Sequence, residues 1–311
     1  MISAPDYIQL YPTLRCNRAC AFCFNKDMPP MPDMSMDRFR ALLQICRQQG
    51  VRTIDIMGGE PTLHPDILDM TSETLAASLR VNLSSNGSNL SLLSELASSG
   101  SSIVLGLSVN DRKELEAVKS FVKQHRPVVK SVFHDSLDRR LVREILLLGP
   151  SRFYLIYRDA LTIQELPQAV PFPSYLDALG LHGDGAGGVY CSGFLPDVEH
   201  YPHLARVRCP AGTTKLGVMP DGSVYPCNLF FGTEEFRLGN ILEDPFDAIW
   251  HDQKLDFFRQ FQGNACPKKT CRLHEQCHGG CPAHGFLLAG DLAAPDPRCF
   301  VDDPGVLHKK P

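Results

Sequence analysis

Six short apolar runs rich in β-branched residues punctuate the first 160 residues: Tyr7–Thr13, Arg52–Met57, Arg80–Ser84, Ile103–Val109, Val128–Phe133 and Phe153–Tyr157. The segments between them change to a helical period. Behind Ser35, a helix-capping residue type, Phe39, Leu42, Leu43 and Cys46 share one helical face that stops before Gly50. Asp111 with Glu114 forms a capping-box pair ahead of Leu115, Val118 and Val122. Further helices are predicted from Pro65 to Ser78, Ser91 to Ser99 and Leu137 to Leu148, the last two ending at Gly100 and Gly149. Six strand-then-helix units predict an α/β fold, a parallel sheet wound right-handedly into a partial (β/α)6 TIM-like barrel. Reactive loops then gather at the carboxyl ends of the strands.

The period breaks near Leu161. Residues 161–208 are rich in Pro and Gly and read as an irregular bridge that forms one wall of a substrate site. Its glycine run, Gly183 to Gly188, has no following Lys-Ser or Lys-Thr and is not a phosphate loop. From 209 to 311 the chain is cysteine-rich. Asp221-Gly222 between Thr214–Met219 and Ser223–Tyr225 predicts a hairpin, flanked by Cys209 and Cys227. A helix is expected from about Pro245 to Phe261. The expected domains are therefore a barrel over 1–160, the bridge over 161–208 and a small extension over 209–311.

Charge and composition narrow the function. A net charge of −4 with scattered basic residues argues against nucleic acid, and no apolar stretch reaches membrane-spanning length. Twelve cysteines without a signal-peptide pattern imply a reducing, cytoplasmic setting, with thiols serving as metal ligands. Cys46, on the core stripe of its helix, reads instead as buried filler.

The chemistry concentrates in Cys16-Asn17-Arg18-Ala19-Cys20-Ala21-Phe22-Cys23, directly after the first strand. Three thiolates in eight residues can hold three corners of a [4Fe–4S] cluster and leave one iron open. The run resembles the cluster loop of the radical S-adenosylmethionine (radical SAM) family. That resemblance implies that SAM chelates the open iron, and that one-electron cleavage yields a 5′-deoxyadenosyl radical which abstracts hydrogen from substrate. Thirty-five residues past Cys23, Gly58-Gly59-Glu60 ends the second strand. In the family a Gly-Gly-Glu there binds the methionine amino group. Phe22, Ser85, Asn86 and Ser108 are implied SAM contacts by the same resemblance, although Ser84-Ser85-Asn86-Gly87 is equally a turn sequence. Arg158 reads either as a partner of the SAM carboxylate or as solvated surface. Met28 to Met34, held irregular by its prolines, is either a lid or a connector.

The later cysteines, Cys266-x4-Cys271-x5-Cys277-x3-Cys281 and then Cys299, together with Gly239-Asn240, Trp250 and Pro295-Asp296-Pro297, resemble the SPASM extension of radical SAM enzymes. The resemblance implies two auxiliary clusters, one held by Cys209, Cys227 and Cys281, the other by Cys266, Cys271, Cys277 and Cys299. The first auxiliary cluster then either keeps an open iron or takes Cys191 as its fourth ligand. A zinc site is the alternative for the four-Cys run. The four-residue gap after Cys266 departs from the usual two.

Three functions compete. The first is radical modification of a peptide or protein side chain, fed by an external donor such as flavodoxin or ferredoxin. With the first strand beginning near Tyr7, a separate peptide-recognition protein or a leaderless substrate is expected. The second keeps the chemistry but acts on a small molecule such as a haem precursor or sugar. The third is a non-catalytic iron–sulfur relay or scaffold, which has no use for Gly58-Gly59-Glu60. Asn228 stands where sulfatase-maturing relatives carry an Asp base, which disfavours that activity. His134, Asp159, Asp184 and Tyr225 are candidate proton or radical partners without a spacing argument.

Overall fold

The computed structural model describes residues 4–23, 25–134, 136–182, 185–189, 209–271, 274–275, 277 and 279–299. Strand and helix alternate as expected: β1 (Tyr7–Leu10), α1 (Met36–Gln48), β2 (Thr53–Ile56), α2 (Ile67–Ala76), β3 (Arg80–Ser85), α3 (Leu90–Ser98), β4 (Ile103–Ser108), α4 (Arg112–His125), β5 (Val128–Phe133), α5 (Arg139–Leu147) and β6 (Arg152–Tyr157). Neighbouring strands from β1 to β5 pair in parallel, with Tyr7 opposite Thr53, Thr53 opposite Arg80, Val81 opposite Ile103 and Gly106 opposite Val128. Side-chain alternation sorts the two faces. Ile54, Ile56, Val81, Leu83, Leu105 and Leu107 are buried with the apolar stripes of the helices. The opposite face carries Val104, Gly106 and Val128 and, among them, the polar residues Asp55, Asn82, Ser84, Ser108 and Lys130.

Side-chain caps fix the helix starts. Ser35 accepts from Arg38 N, and Asp111 accepts from Glu114 N. Asn89 and Asp138 cap α3 and α5, which therefore begin at Leu90 and Arg139 rather than at the apolar residues that signalled them.

The chain divides into two compact units, and the division differs from the expected boundaries. One comprises Met1–Ser131, Leu137–Tyr154 and Ala211–Leu255. The hairpin belongs to it. After β7 (Gly187–Val189), strand β8 (Lys215–Val218) lies parallel to β1, Tyr7 opposite Lys215 and Leu10 opposite Val218. The short strands β9 (Ser223–Tyr225) and β10 (Gly239–Asn240) add antiparallel to it. Edge pairing with β1 explains the difference: a hydrogen-bonded strand joins the sheet it completes, whatever its distance in sequence. Gly222 closes the turn at φ +88°, and a Cβ there would meet Asn240 Oδ1 at 2.5 Å.

The other unit comprises Val132–Ser136, Leu155–Pro210 and Asp256–Pro311. Here the bridge is less irregular than its prolines imply. Phe172–Gly180 forms α6, with Phe172, Tyr175 and Leu176 buried on one face. Pro173 sits in its first turn, where a missing N–H costs nothing. Tyr157 packs edge-on against Phe172 and Tyr175 at 5.2 and 5.4 Å, and Tyr175 donates to Leu155 O. The helix expected over Pro245 to Phe261 is broken into α7 (Phe246–Trp250) and α8 (Asp256–Arg259), because Asp252 accepts from Lys254 N and starts a new turn. Helix α9 (Pro282–Ala289) follows Cys281. No described helix is long and apolar enough to cross a membrane.

Candidate functional site

The segment leading out of β1 into the cysteine loop is locked to the end of β2 by backbone hydrogen bonds. Gly59 N donates to Thr13 O at 3.0 Å and Glu60 N to Arg15 O at 2.7 Å. This explains the two glycines. A Cβ on Gly58 would lie 2.4 Å from Thr13 O, and one on Gly59 would lie 2.1 Å from Arg15 O. Gly58 also holds φ +126°, a region side chains avoid. The close approach that the glycines permit is therefore to the root of the Cys16–Cys23 loop. Asn25, just beyond the loop, closes the other side by donating to Gly58 O at 2.9 Å.

Glu60 is 1% exposed. Its Oε1 accepts from Thr62 N, Thr62 Oγ1 and Ser85 Oγ at 3.1, 2.6 and 2.8 Å, and its Oε2 accepts from Asn86 N at 2.6 Å. The carboxylate thus ties the end of β2 to the end of β3. Ser85, expected as a ligand contact, is buried on the helix-facing side of β3 and engaged by Glu60; strand alternation turns Ser84 to the polar face instead. Asn86 Nδ2 donates to Asn17 Oδ1 at 2.8 Å, which brings the cysteine loop over the end of β3. Arg18 extends from the same loop to Glu114 on α4 at 2.5 Å.

Arg15 and Thr13 both bind Asp33, and Met34 N donates to Pro12 O. The Met28–Met34 segment is a connector pinned at its far end to the loop root. Burial pushes the Cys20 thiol up, aided by the nearby Glu114 and Cys23 and, more weakly, Cys16. Cys16 is exposed; Cys20, Cys23 and Phe22 are half-buried.

On the polar face of the sheet the structure shows residues that motif reading passed over. Lys130 Nζ donates to Ser84 Oγ at 2.6 Å, crossing above Gly106, where a Cβ would meet Lys130 Cε at 3.0 Å. Burial lowers the Lys130 pKa, and Asp55 partly offsets it; burial raises Asp55, eased by Lys130 and Lys215. Ser108 lies in register with Lys130. The signal for this set was the polar alternation inside β2 to β5, which single-motif reading ignores.

In the second unit four thiols gather. The Cys277 thiol is pushed up to about 11, mainly by burial and further by Cys299, Cys266 and Cys271. Asn264 organises their loop, donating to His274 O and Cys277 O and accepting from Cys266 N. Cys281 is buried at the start of α9, and Cys209 is half-buried in the same unit. Cys227, also buried, belongs to the barrel unit. Cys191 and Asp184 lie outside the described residues. Cys46 is 1% exposed, and burial raises its thiol to about 12, as befits core filler.

The other candidate partners scatter. Tyr225 is buried edge-on against Phe231 at 5.5 Å. His134 Nδ1 lies 2.9 Å from Ser136 Oγ, and Asp159 is paired with Arg298 at 3.0 Å. Arg158 is half-buried in the second unit.

These thiols are the donor type that iron–sulfur clusters take: three within eight residues in the first loop, and a further set around Cys277 in the second unit. A cubane takes its cysteine ligands at separate corners, and the loop that carries Cys16, Cys20 and Cys23 is rooted in a glycine cradle and turned by Cys23 N donating to Cys20 O at 3.0 Å.

Known proteins agree with that donor chemistry. The Radical SAM superfamily matches residues 10–139, and the SPASM iron–sulfur cluster-binding domain matches residues 209–282. The PqqA peptide cyclase of Streptomyces rochei is 25% identical, covering 96% of this chain and 90% of its own length. The mycofactocin maturase MftC of Mycobacterium ulcerans is 26% identical, covering 96% and 88%. The structure of Streptococcus suis SuiB bound to precursor peptide SuiA shares the fold, with TM-score 0.75 at 19% identity over 96% of this chain and 76% of that one. With its cysteine loop rooted in Gly58-Gly59, the chain carries a radical SAM domain over residues 10–139 and a SPASM iron–sulfur cluster-binding domain over residues 209–282.

Proposed function

We propose that this enzyme cleaves SAM reductively and modifies a peptide side chain by hydrogen abstraction. The observation that carries the reading is the lock between Thr13–Arg15 and Gly58–Glu60, which fixes a three-cysteine loop against the ends of β2 and β3. A [4Fe–4S] cluster with SAM supplies, when bound, a one-electron cleavage of the sulfonium and a carbon-centred hydrogen abstractor. Cys16, Cys20 and Cys23 are the ligands in this reading. Asn86, Ser108 and the Gly58–Gly59 backbone offer the polar surface for SAM, with Glu60 and Ser85 holding that surface in shape. Lys130, low in pKa and seated on the polar face of the sheet, is placed to hold or pass a proton.

Cys266, Cys271, Cys277 and Cys299 hold one auxiliary cluster, and Cys209, Cys227 and Cys281 hold the other, with Cys191 as its fourth ligand. The peptide class rests on relatives that are themselves a peptide cyclase and a peptide-bound enzyme. A flavodoxin or ferredoxin donor, a separate recognition protein and a cytoplasmic setting complete the reading. The test is 5′-deoxyadenosine release by the anaerobic, reduced protein given SAM and either a peptide pool or a small-molecule pool. Stimulation by peptides alone is the expected result. Stimulation by the small-molecule pool alone would move the substrate out of the peptide class.

A further inference from the structure

Asp296 makes more contacts with the backbone of proposed ligands than any motif predicts. It is 3% exposed. Its Oδ2 accepts from Cys281 N at 3.1 Å, and its own carbonyl accepts from Cys299 N at 3.0 Å. One residue therefore holds the amides of two cysteines eighteen positions apart in sequence. Its position is over-determined. Asp296 N donates to Gly279 O at 2.6 Å, and a Cβ on Gly280 would lie 2.2 Å from Asp296 Cβ, so only glycine admits it there.

The carboxylate is also matched in charge. Arg298 is 9% exposed and reaches Asp296 with Nε at 2.9 Å and Nη2 at 2.7 Å, a two-pronged pair. The same guanidinium meets Asp159 Oδ1 at 3.0 Å and lies over the Tyr157 ring at 5.5 Å. His284, 1% exposed, stands with Nε2 3.2 Å from Asp159 Oδ1 and Nδ1 3.7 Å from Asp296 Oδ2. The adjoining cavity is about 10 Å³, room for about one water and not for a substrate. An array of this kind costs desolvation energy that a plain apolar core would avoid. Its place, beside Cys281 and immediately before Cys299, gives it something to do.

We propose that Asp296 is a positioning residue for the auxiliary iron–sulfur sites: it sets the backbone of Cys281 and Cys299 as ligands, and its charge, balanced by Arg298, sets the field those clusters feel. The proposal rests on the reading of both cysteines as cluster ligands. Because the two belong to different clusters in that reading, Asp296 couples the geometry of one to the other.

The test uses the reconstituted full chain, with iron and sulfide counted per chain and midpoint potentials taken from EPR-monitored redox titration. Asp296→Asn keeps the shape and an oxygen acceptor but removes the charge. It is expected to retain iron, raise the auxiliary midpoints and leave the SAM-binding cluster's midpoint unchanged. Asp296→Ala removes the acceptor too and is expected to lose auxiliary iron while keeping the first cluster's signal. If Asp296→Ala does not fold, Asp296→Asn decides alone: auxiliary midpoints equal to wild type would overturn the proposal. A wild-type protein holding the iron of only one cluster would overturn the auxiliary-cluster reading itself, a result distinguishable before any variant is made.

Discussion

A buried carboxylate that accepts from four donors cannot be shortened cheaply. Removing the Glu60 side chain strands Thr62 N, Thr62 Oγ1, Ser85 Oγ and Asn86 N away from water. Glu60→Ala is expected to cost about 3 kcal/mol in urea unfolding of the cluster-free chain, and Glu60→Gln less, since one oxygen still accepts. If Glu60 served only to contact SAM, the cluster-free protein would lose nothing. At this scale the structure gathers residues that the motifs brought forward and gives Glu60 and Ser85 a bonding role of their own. Gly58, Gly59, Glu60, Ser85 and Asn86 do come together, but a motif cannot say which side chain faces a ligand and which faces its own backbone. That depends on the parity of a strand, and Ser84 and Ser85 are one step apart.

Strands, helices and their ends were the most legible features. The six runs and the Ser35 and Asp111 caps appear where periodicity put them, because amphipathic burial and capping act within a few residues. What escaped was the parallel pairing of β8 with β1, which is non-local, and α6, a local helix obscured by its prolines. Helix α4 shows how one element can serve two ends. Asp111 caps it, while Glu114 accepts from Asn110 N and also holds Arg18 of the cysteine loop. The two roles separate by substitution. Asp111→Ala is expected to cost about 1 kcal/mol of stability with little effect on cluster retention. Glu114→Gln is expected to cost comparably little, yet to speed iron loss to a chelator from the first site severalfold. Equal chelation rates in the two variants would show that Arg18 does not restrain the loop.

For the molecule as a whole, the two units differ in what holds them. The barrel unit has a continuous apolar core between sheet and helices, whereas the second unit, beside the aromatic packing of α6, carries Cys266, Cys271, Cys277 and Cys299 in loops organised by Asn264. Metal binding there is also folding. Chelation of the iron is expected to raise hydrogen exchange across residues 256–299 and leave β2 to β4 nearly as protected as before. Uniform loss of protection would contradict this division.

The pairing of Tyr7 with Lys215 bears on how the chain is made. As the polypeptide leaves the ribosome, β1 is among its earliest strands, yet one edge of it stays bare until β8 has emerged. A nascent chain halted near residue 160 would thus carry every helix-backed strand of the barrel and an open seam, a template for other chains. The hairpin that carries Cys227 is the piece that seals it. Expression of the amino-terminal half alone should therefore yield aggregates rather than a smaller enzyme.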